Sequence, residues 1–181
     1  MINNIKTPEE LLKFMDNISY GFVDKDGNIY TDDFSNWNNC IVQDGEGVLE
    51  SKVGTCWDQV ELERLWFSSN NYTFKTIFCW FECGRVCDLP THTFLIYEKN
   101  NKYYWFEHAF EAFRGIHEFD TMEDAINYVT DKQVEFASHN DDFRPGDENT
   151  LVCYEYTKPD KNLGVQEYLD FVTGVKLIFK P

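Results

Sequence analysis

The sequence predicts an α+β fold in which a cysteine-bearing helix packs on an antiparallel β-sheet. Its 181 residues suffice for one domain with a hydrophobic core. Hydrophobic residues make up 43% of the chain and aromatic residues 17%, so a globally disordered chain is not expected. Segments typical of helices and of strands both occur, and the clearest two strands are joined by a short turn, as in a hairpin. We therefore expect a single α+β domain over residues 1–181.

The N-terminal part predicts a short helix followed by a hairpin. Thr7-Pro8-Glu9-Glu10 combines a capping threonine, a proline at the first helical position and acidic residues in the first turn. The segment GFVDKDGNIY predicts two short strands around a turn at residues 25–28. Residues 32–53 are polar, and we predict irregular structure there with Trp37 and Ile41-Val42 as anchors.

The middle of the chain predicts a central helix, a strand and a hairpin. Thr55 and Asp58 have the spacing of a capping box, and the helix that they begin runs to about Ser69. The next segment, YTFKTIFCWFECG, is rich in β-branched and aromatic residues and predicts a strand. The segment LPTHTFLIYEKNNKYYWFEHAF then predicts two strands joined at Asn100-Asn101.

The C-terminal part predicts two helices separated by a strand. TMEDAINYVTDKQVEFAS begins with a second capping box, Thr121-x-x-Asp124. A polar loop follows, and LVCYEYT then predicts a strand. VQEYLDFVTG predicts a last helix that ends at Gly174.

The acidity of the chain excludes some classes of partner. Its formal net charge is −16 and its isoelectric point is about 4.5. Surfaces that bind nucleic acid are basic, and anionic membranes attract basic segments. We therefore expect neither nucleic acid nor a membrane as a partner, and the negative charge is expected to serve solubility.

The start of the chain and its cysteines predict a cytoplasmic protein. MINNIKTPEELLKFMD lacks the basic and apolar regions of a signal peptide, and no segment approaches the roughly 20 apolar residues of a membrane span. Lysine outnumbers arginine and asparagine is frequent, which favours an AT-rich, bacterial coding sequence. The six cysteines are then expected to be reduced thiols. They are Cys40, Cys56, Cys79, Cys83, Cys87 and Cys153.

Cys56 occupies the first helical position of the predicted central helix. The first N–H groups of a helix have no internal acceptor, and the helix dipole places a partial positive charge there. Both effects favour a thiolate, and the Cys56 N–H is free to hold an oxyanion. Asp58 opposes the effect through its negative charge. The position suits a nucleophile, although a small buried core residue is an equally simple interpretation.

The hairpin brings a histidine and a carboxylate to one face of the sheet. With a two-residue turn at Asn100-Asn101, Phe94 lies opposite Glu107, and Thr93 opposite His108. His92 and Glu107 are then diagonal neighbours on one face, about 7–8 Å apart at the backbone, whereas His108 points to the other face. This register predicts that Glu107 orients the imidazole of His92.

These residues resemble the transglutaminase-like superfamily, a branch of the papain-like cysteine enzymes. The resemblance lies in GTCWDQV and THTFLIYEKNNKYYWFEHA and covers a core of about residues 50–115. An N-terminal helix and hairpin extension (residues 1–45) and a C-terminal strand and helix (residues 140–181) lie outside it. The resemblance implies a helix that begins with the nucleophilic cysteine and packs on an antiparallel sheet. In the family, the catalytic histidine and an acid come later in the chain and lie on two adjacent strands.

The resemblance implies an acyl-transfer enzyme that needs no cofactor and no metal. Cys56 would attack an amide or peptide carbonyl, His92 would act as base and then acid, and Glu107 would fix its tautomer. Glu107 stands where the family usually has aspartate. The substrate would be a peptide or a carboxamide, and the enzyme a peptidase, amidase, deamidase or transamidase. Candidates for the oxyanion donor or substrate groove are Tyr20, Trp37, Gln43 and Trp57.

Two other classes of function fit the same sequence. Cys79, Cys83 and Cys87, followed by His92, could form a zinc cluster that stabilises a structural domain. Alternatively, the chain could keep the fold as an inactive binding module with an apolar docking groove. Metal analysis tests the first alternative, and the reactivity of the Cys56 thiol tests the second.

Overall fold

The computed structural model describes residues 2–180, and within that range it contains both helices and strands. The α-helices are α1 (Pro8–Met15), α2 (Gly45–Ser51), α3 (Cys56–Ser69), α4 (Met122–Ala137) and α5 (Val165–Thr173). The strands are β1 (Phe22–Asp24), β2 (Ile29–Tyr30), β3 (Cys40–Ile41), β4 (Thr73–Phe81), β5 (His92–Lys99), β6 (Lys102–Glu107), β7 (Gly115–Phe119), β8 (Leu151–Tyr156) and β9 (Lys176–Phe179).

Among the described residues, the strands form two antiparallel sheets. The larger sheet has the strand order β7-β6-β5-β4-β8-β9, and the smaller has the order β2-β1-β3. The prediction of an α+β fold with an antiparallel sheet is confirmed. The C-terminal strand β8 pairs with β4, so it belongs to the same sheet as the hairpin.

Helices cover both faces of the larger sheet because successive side chains of each strand point to opposite sides. On one face, Leu95 and Phe106 pack in a core that includes residues of α1, α3 and α5. On the other face, Phe94 and Trp105 pack with α4. The helix that begins with Cys56 therefore lies on the sheet and is buried on several sides, with polar as well as apolar residues among those buried.

The register predicted for the β5–β6 hairpin is confirmed. Lys99 lies opposite Lys102, and Tyr97 lies opposite Tyr104. Asn100 and Asn101 form the turn with φ values of 54° and 58°, the left-handed conformation that a two-residue turn of this type requires. The register puts His92 and Glu107 on the α4 face and His108 on the α3 face.

Four helices and strands were not predicted, and one of them is the two-residue strand β3 within residues 32–53. Residues 32–53 also include the short helix α2. Its N-cap residue is Asp44, whose side chain accepts a hydrogen bond from the Gly47 N–H (2.9 Å). The edge strands β7 and β9 were also missed. Both are short, and each pairs along one side only.

The expectation of six reduced thiols is wrong. Cys79 on β4 and Cys153 on β8 lie directly opposite each other, with their Cα atoms 4.2 Å apart, and form a disulfide. The bond is buried between two central strands. The four remaining cysteines, Cys40, Cys56, Cys83 and Cys87, are free.

None of the helices within residues 2–180 is long and apolar enough to cross a membrane. The longest of them, α4, carries several charged residues along its length.

Candidate active site

Cys56 is the first residue of α3, and its position is fixed by a buried polar network. Thr55 is the N-cap residue, as predicted, and its N–H and hydroxyl groups each donate to Asp58 Oδ2 at 2.9 Å. The backbone N–H of Gln43 donates to Asp58 Oδ1 at 2.7 Å. Asp58 thus joins the helix start to the preceding segment, and Cys56 lies between Asp58 and its partner Thr55.

The carboxyl group of Asp58 is fully buried. Burial raises the pKa of Asp58 to about 7, against the lowering effect of the hydrogen bonds from Gln43 and Thr55. A large fraction of the Asp58 side chains is therefore neutral near neutral pH. This weakens the repulsion that a charged Asp58 would exert on a thiolate at Cys56.

A second polar chain holds the loop in front of Cys56. Gln59 Nε2 donates to the Gly54 carbonyl at 2.8 Å, and Gln59 Oε1 lies 2.6 Å from His108 Nδ1. Because Gln59 Oε1 can only accept, His108 donates from Nδ1. Burial and the positive charge of Arg114 lower the pKa of His108 to about 4, so His108 is neutral at neutral pH. No sequence motif indicated this series of hydrogen bonds, because His108 and Gln59 lie far apart in the sequence.

His92 and Glu107 form the contact that the hairpin register predicted. His92 Nε2 lies 2.8 Å from Glu107 Oε2, and both side chains are buried. Glu107 Oε2 also accepts from Trp105 Nε1 (3.1 Å), and Glu107 Oε1 accepts from the Phe110 N–H (2.6 Å). Both oxygens of the carboxylate are therefore fixed. The additional methylene of glutamate, compared with aspartate, does not prevent contact with the imidazole.

The imidazole of His92 also lines the same cavity as Cys56, and the interaction with Cys56 is one of the causes that raise the pKa of His92. Because Nε2 is occupied by Glu107, the nitrogen that faces Cys56 is Nδ1. Burial lowers the pKa of His92, but the negative charge of Glu107 and the hydrogen bonds with Cys56 and Glu107 outweigh it and raise the pKa to about 10. The imidazole can thus carry a proton at neutral pH beside the sulfur.

Tyr20 lies against Cys56 from the opposite direction. Tyr20 borders both cavities that include Cys56, and the residue as a whole is 49% exposed. The negative charge of a Cys56 thiolate, together with burial, raises the pKa of Tyr20 well above 10.0. The phenol therefore remains a hydrogen-bond donor over the whole neutral range.

Two cavities meet at Cys56. The larger has a volume of about 1140 Å³, and its wall includes Trp37, Trp57, Trp80 and Leu169. The smaller has a volume of about 630 Å³ and includes His92, Phe110, Arg114 and Gln133. Four residues border both cavities: Tyr20, Cys56, Pro90 and Thr91. A substrate that reaches the sulfur can therefore extend in two directions.

Only some of the candidates for the oxyanion donor and substrate groove border the cavities at Cys56. Trp37 and Trp57 line the larger cavity, and Trp57 Nε1 donates to Thr91 Oγ1 at 3.3 Å. Gln43 lies outside both cavities. Its side-chain amide donates to the Val53 carbonyl (2.9 Å), and its backbone N–H binds Asp58. Its role is to support the helix start.

The suggested ligands of the zinc-cluster alternative do not come together within residues 2–180. Cys79 is bonded to Cys153, and His92 is hydrogen-bonded to Glu107, so two of the four suggested ligands are engaged elsewhere. No group of three or more potential metal ligands occurs within residues 2–180. The sulfur atoms of Cys83 and Cys87 remain in contact with each other.

Glu63 is a buried acid that the sequence gave no reason to single out. It lies two turns after Cys56 on α3, is 3% exposed, and its Oε2 atom has no hydrogen-bond partner within the described residues. Burial, and then the negative charge of Glu107, raise the pKa of Glu63 well above its usual value. Glu63 therefore holds a proton more tightly in the folded protein than in the unfolded chain.

No protein-family model and no curated protein sequence matches this chain.

Proposed function

We propose that this chain is a cysteine-dependent acyl-transfer enzyme of the transglutaminase-like superfamily. Cys56 is the nucleophile, His92 the base, and Glu107 the group that orients the imidazole. The observation that carries the proposal is the buried hydrogen bond of 2.8 Å between His92 and Glu107, on an imidazole that lines the same cavity as Cys56. A nucleophile and a base in contact, with the base held by a third group, are typical of an activated nucleophile. A cysteine at the start of a helix on an antiparallel sheet also supports the proposed papain-like core.

The proton transfers follow from which nitrogen faces which group. His92 Nε2 donates to Glu107, and Nδ1 holds the proton that Cys56 has given up, so the sulfur attacks as a thiolate. The sulfur attacks the carbonyl carbon of an amide and forms a tetrahedral intermediate. Nδ1 then returns the proton to the leaving nitrogen, the C–N bond breaks, and a thioester remains on Cys56. The acceptor attacks the thioester by the same steps in reverse and frees the sulfur.

Two donors converge on the position of the oxyanion. The Cys56 N–H is at the first helical position, where no intrahelical acceptor exists. Tyr20 borders the same two cavities as Cys56, and its raised pKa keeps the proton on its hydroxyl group. We assign the stabilisation of the tetrahedral intermediate to these two groups, in the manner of an oxyanion hole.

The placement of His92 sets the direction of the substrate. His92 lines the smaller cavity and not the larger one. The leaving nitrogen must receive its proton from His92, so the amine part of the substrate occupies the smaller cavity. The acyl part then extends into the larger cavity, past Trp37 and Trp57. A peptide or carboxamide with an apolar or aromatic acyl segment fits this wall best.

The acyl acceptor distinguishes two versions of the activity. Water as the acceptor yields a carboxylic acid, and the enzyme is a peptidase, amidase or deamidase. A primary amine as the acceptor yields a new amide, and the enzyme is a transamidase. Mass analysis of products formed with and without a small primary amine separates the two.

The test of the proposed nucleophile is competitive alkylation. The protein is treated briefly with limiting iodoacetamide near pH 6, and the label on each free cysteine is measured by peptide mapping. We expect Cys56 to react well ahead of Cys40 despite the burial of both, and to lose this lead in His92→Gln. His139→Gln is the matched control, because His139 is an exposed histidine on a loop.

A different result would support an inactive binding module. In that case Cys56 would react no faster than Cys40, and His92→Gln would change nothing. Circular dichroism and thermal unfolding of each variant must show a folded protein before the labelling rates are compared. Amide and peptide substrates are then screened with the wild type and with Cys56→Ser.

A further inference from the structure

Cys83 and Cys87 lie in the loop that joins β4 to β5, and their sulfur atoms are 2.8 Å apart. This distance is shorter than a van der Waals contact between two sulfur atoms, and a disulfide bond is about 2.05 Å long. Both cysteines are free and half-buried. Gly84 has a φ of 64° and allows the chain to turn between them. Little movement separates this pair from a covalent bond.

The segment between the two cysteines is anchored independently of the sulfur atoms. Arg85 Nη2 donates to Asp147 Oδ2 (2.5 Å) and to the Asp142 carbonyl (2.8 Å). The Asp88 N–H donates to Asp142 Oδ2 (3.0 Å), and Asn140 Nδ2 donates to the Asp88 carbonyl (3.1 Å). These contacts hold both sides of the turn on the loop that follows α4. The two thiols are therefore kept close in the reduced protein.

The same segment is a wall of the larger cavity beside Cys56. Cys83, Cys87 and the residues between them all line that cavity. Val86, at the tip of the turn, is fully exposed. A bond between the sulfur atoms would fix this wall, and its reduction would release it.

We propose that Cys83 and Cys87 are a reversible dithiol–disulfide site that exchanges with small disulfides, such as oxidised glutathione. The thiolate of one cysteine attacks a sulfur of the small disulfide and expels one small thiolate, leaving a mixed disulfide. The second cysteine attacks the protein sulfur of this mixed disulfide and expels the second small thiolate. Two protein thiols are oxidised, one small disulfide is reduced, and the two thiol protons pass to the expelled thiolates.

The order of the two attacks follows from the surroundings of Cys83. Burial and the contact with Cys87 raise the pKa of Cys83 to about 11, so Cys83 retains its proton. Cys87 therefore attacks the small disulfide first, and Cys83 resolves the mixed disulfide. The Cys79–Cys153 disulfide is buried in the sheet and does not take part.

The experiment uses the full chain in buffers of increasing ratio of oxidised to reduced glutathione. Exchange is quenched with acid, free thiols are blocked with a maleimide, and the peptides are mapped by mass spectrometry. We expect a Cys83–Cys87 bond, seen as a loss of two hydrogen atoms, that forms as the ratio rises and disappears when the ratio is reversed. Cys83→Ser should accumulate a mixed disulfide at Cys87, and Cys40→Ser, as the matched control, should behave like the wild type.

Three results would overturn the inference. Cys83 and Cys87 could both remain open to the maleimide at the highest ratio, each could carry its own glutathione, or either could bond to a different cysteine. These readouts are masses and do not depend on Cys56 chemistry, so they are separate from a failure of the proposed function. The effect of the Cys83–Cys87 bond on the cavity wall is tested by comparing the alkylation rate of Cys56 in the oxidised and the reduced protein. We expect at least a twofold difference with a bulky reagent, and equal rates would refute the link to the cavity.

Discussion

The Nε2 atom of His92 and the Oε2 atom of Glu107 are 2.8 Å apart, and neither residue is more than 4% exposed. The two residues are 15 positions apart in the sequence and occupy neighbouring strands. A buried carboxylate with both oxygens already hydrogen-bonded cannot easily turn away from the imidazole. His92 is therefore held in one orientation, with Nδ1 left for Cys56.

Removing the charge of Glu107 should slow the alkylation of the Cys56 thiol. Glu107→Gln keeps the size of the side chain but loses the negative charge that raises the pKa of His92. We expect the rate of Cys56 alkylation near pH 6 to fall by about tenfold or more. Glu118→Gln, on the adjacent strand and exposed, is the control and should leave the rate unchanged. Equal rates in the wild type and Glu107→Gln would contradict the role of Glu107.

The pKa of His92 predicts how stability depends on pH. The folded protein holds the His92 proton up to about pH 10, whereas the unfolded chain releases it near 6.5. The resulting stabilisation is complete below pH 6.5 and is lost as the pH rises through 10. We expect the free energy of unfolding to fall by roughly 5 kcal/mol over this range from this group. Denaturant unfolding of His92→Gln should lack this decrease, and parallel curves for the two proteins would rule it out.

Tyr20 should contribute to turnover and little to substrate binding. Tyr20→Phe removes the hydroxyl donor beside Cys56 and leaves the ring in place. With an amide substrate from the screen, we expect kcat to fall roughly 100-fold, with KM changed by about twofold or less. Tyr30→Phe is the control, because its hydroxyl donates to Asp24 (3.1 Å) in the N-terminal hairpin. An unchanged kcat in Tyr20→Phe would remove Tyr20 from the mechanism.

Glu63 should destabilise the fold at alkaline pH. Its raised pKa means that the folded state keeps a proton that the unfolded chain loses above about 4.5, so stability falls as the pH rises from there. Glu63→Gln removes the titration, and we expect the variant to gain stability relative to the wild type as the pH rises through the neutral and alkaline range. Glu50→Gln, an exposed acid on α2, should have no such effect. A Glu63→Gln variant that is less stable than the wild type near pH 8 would mean that Glu63 is charged and paired.

The Cys79–Cys153 disulfide should stabilise the sheet against unfolding. Its cysteines are 74 residues apart, so the bond restricts a long segment of the unfolded chain. We expect the double variant Cys79→Ala, Cys153→Ala to lose about 4 kcal/mol of unfolding free energy, and a reducing agent to have a similar effect on the wild type. Mass spectrometry of the unreduced protein checks the bond directly. Six free thiols in that protein would exclude it.

The parts of the site that could be predicted from the sequence depend on local rules. The β5–β6 register follows from a two-residue turn, because Asn100 and Asn101 accept positive φ and fix every pair along the hairpin. The start of α3 at Cys56 follows from the spacing of Thr55 and Asp58. Each rule involves residues within a few positions of each other.

Features that depend on the order of the strands could not be predicted in this way. The Cys79–Cys153 bond requires β8 to lie beside β4, and nothing in either segment indicates that neighbour. The hydrogen bond between His108 and Gln59 likewise joins residues that are 49 positions apart, and Gln59 in turn binds the Gly54 carbonyl. Helix α2 was missed for a local reason, since Gly45 and Gly47 in its first turn are unfavourable in helices.

The position of β4 also has a consequence for how the chain folds during synthesis. Its partner β5 begins after a connection of ten residues, from 82 to 91. Its other partner, β8, leaves the ribosome about 70 residues after β4. Until then β4 is an open edge with unpaired backbone groups, which neighbouring nascent chains could join. The hairpin that holds His92 and Glu107 needs only nearby residues and can close early. The imidazole–carboxylate pair can therefore form on the ribosome before the sheet that carries it is complete.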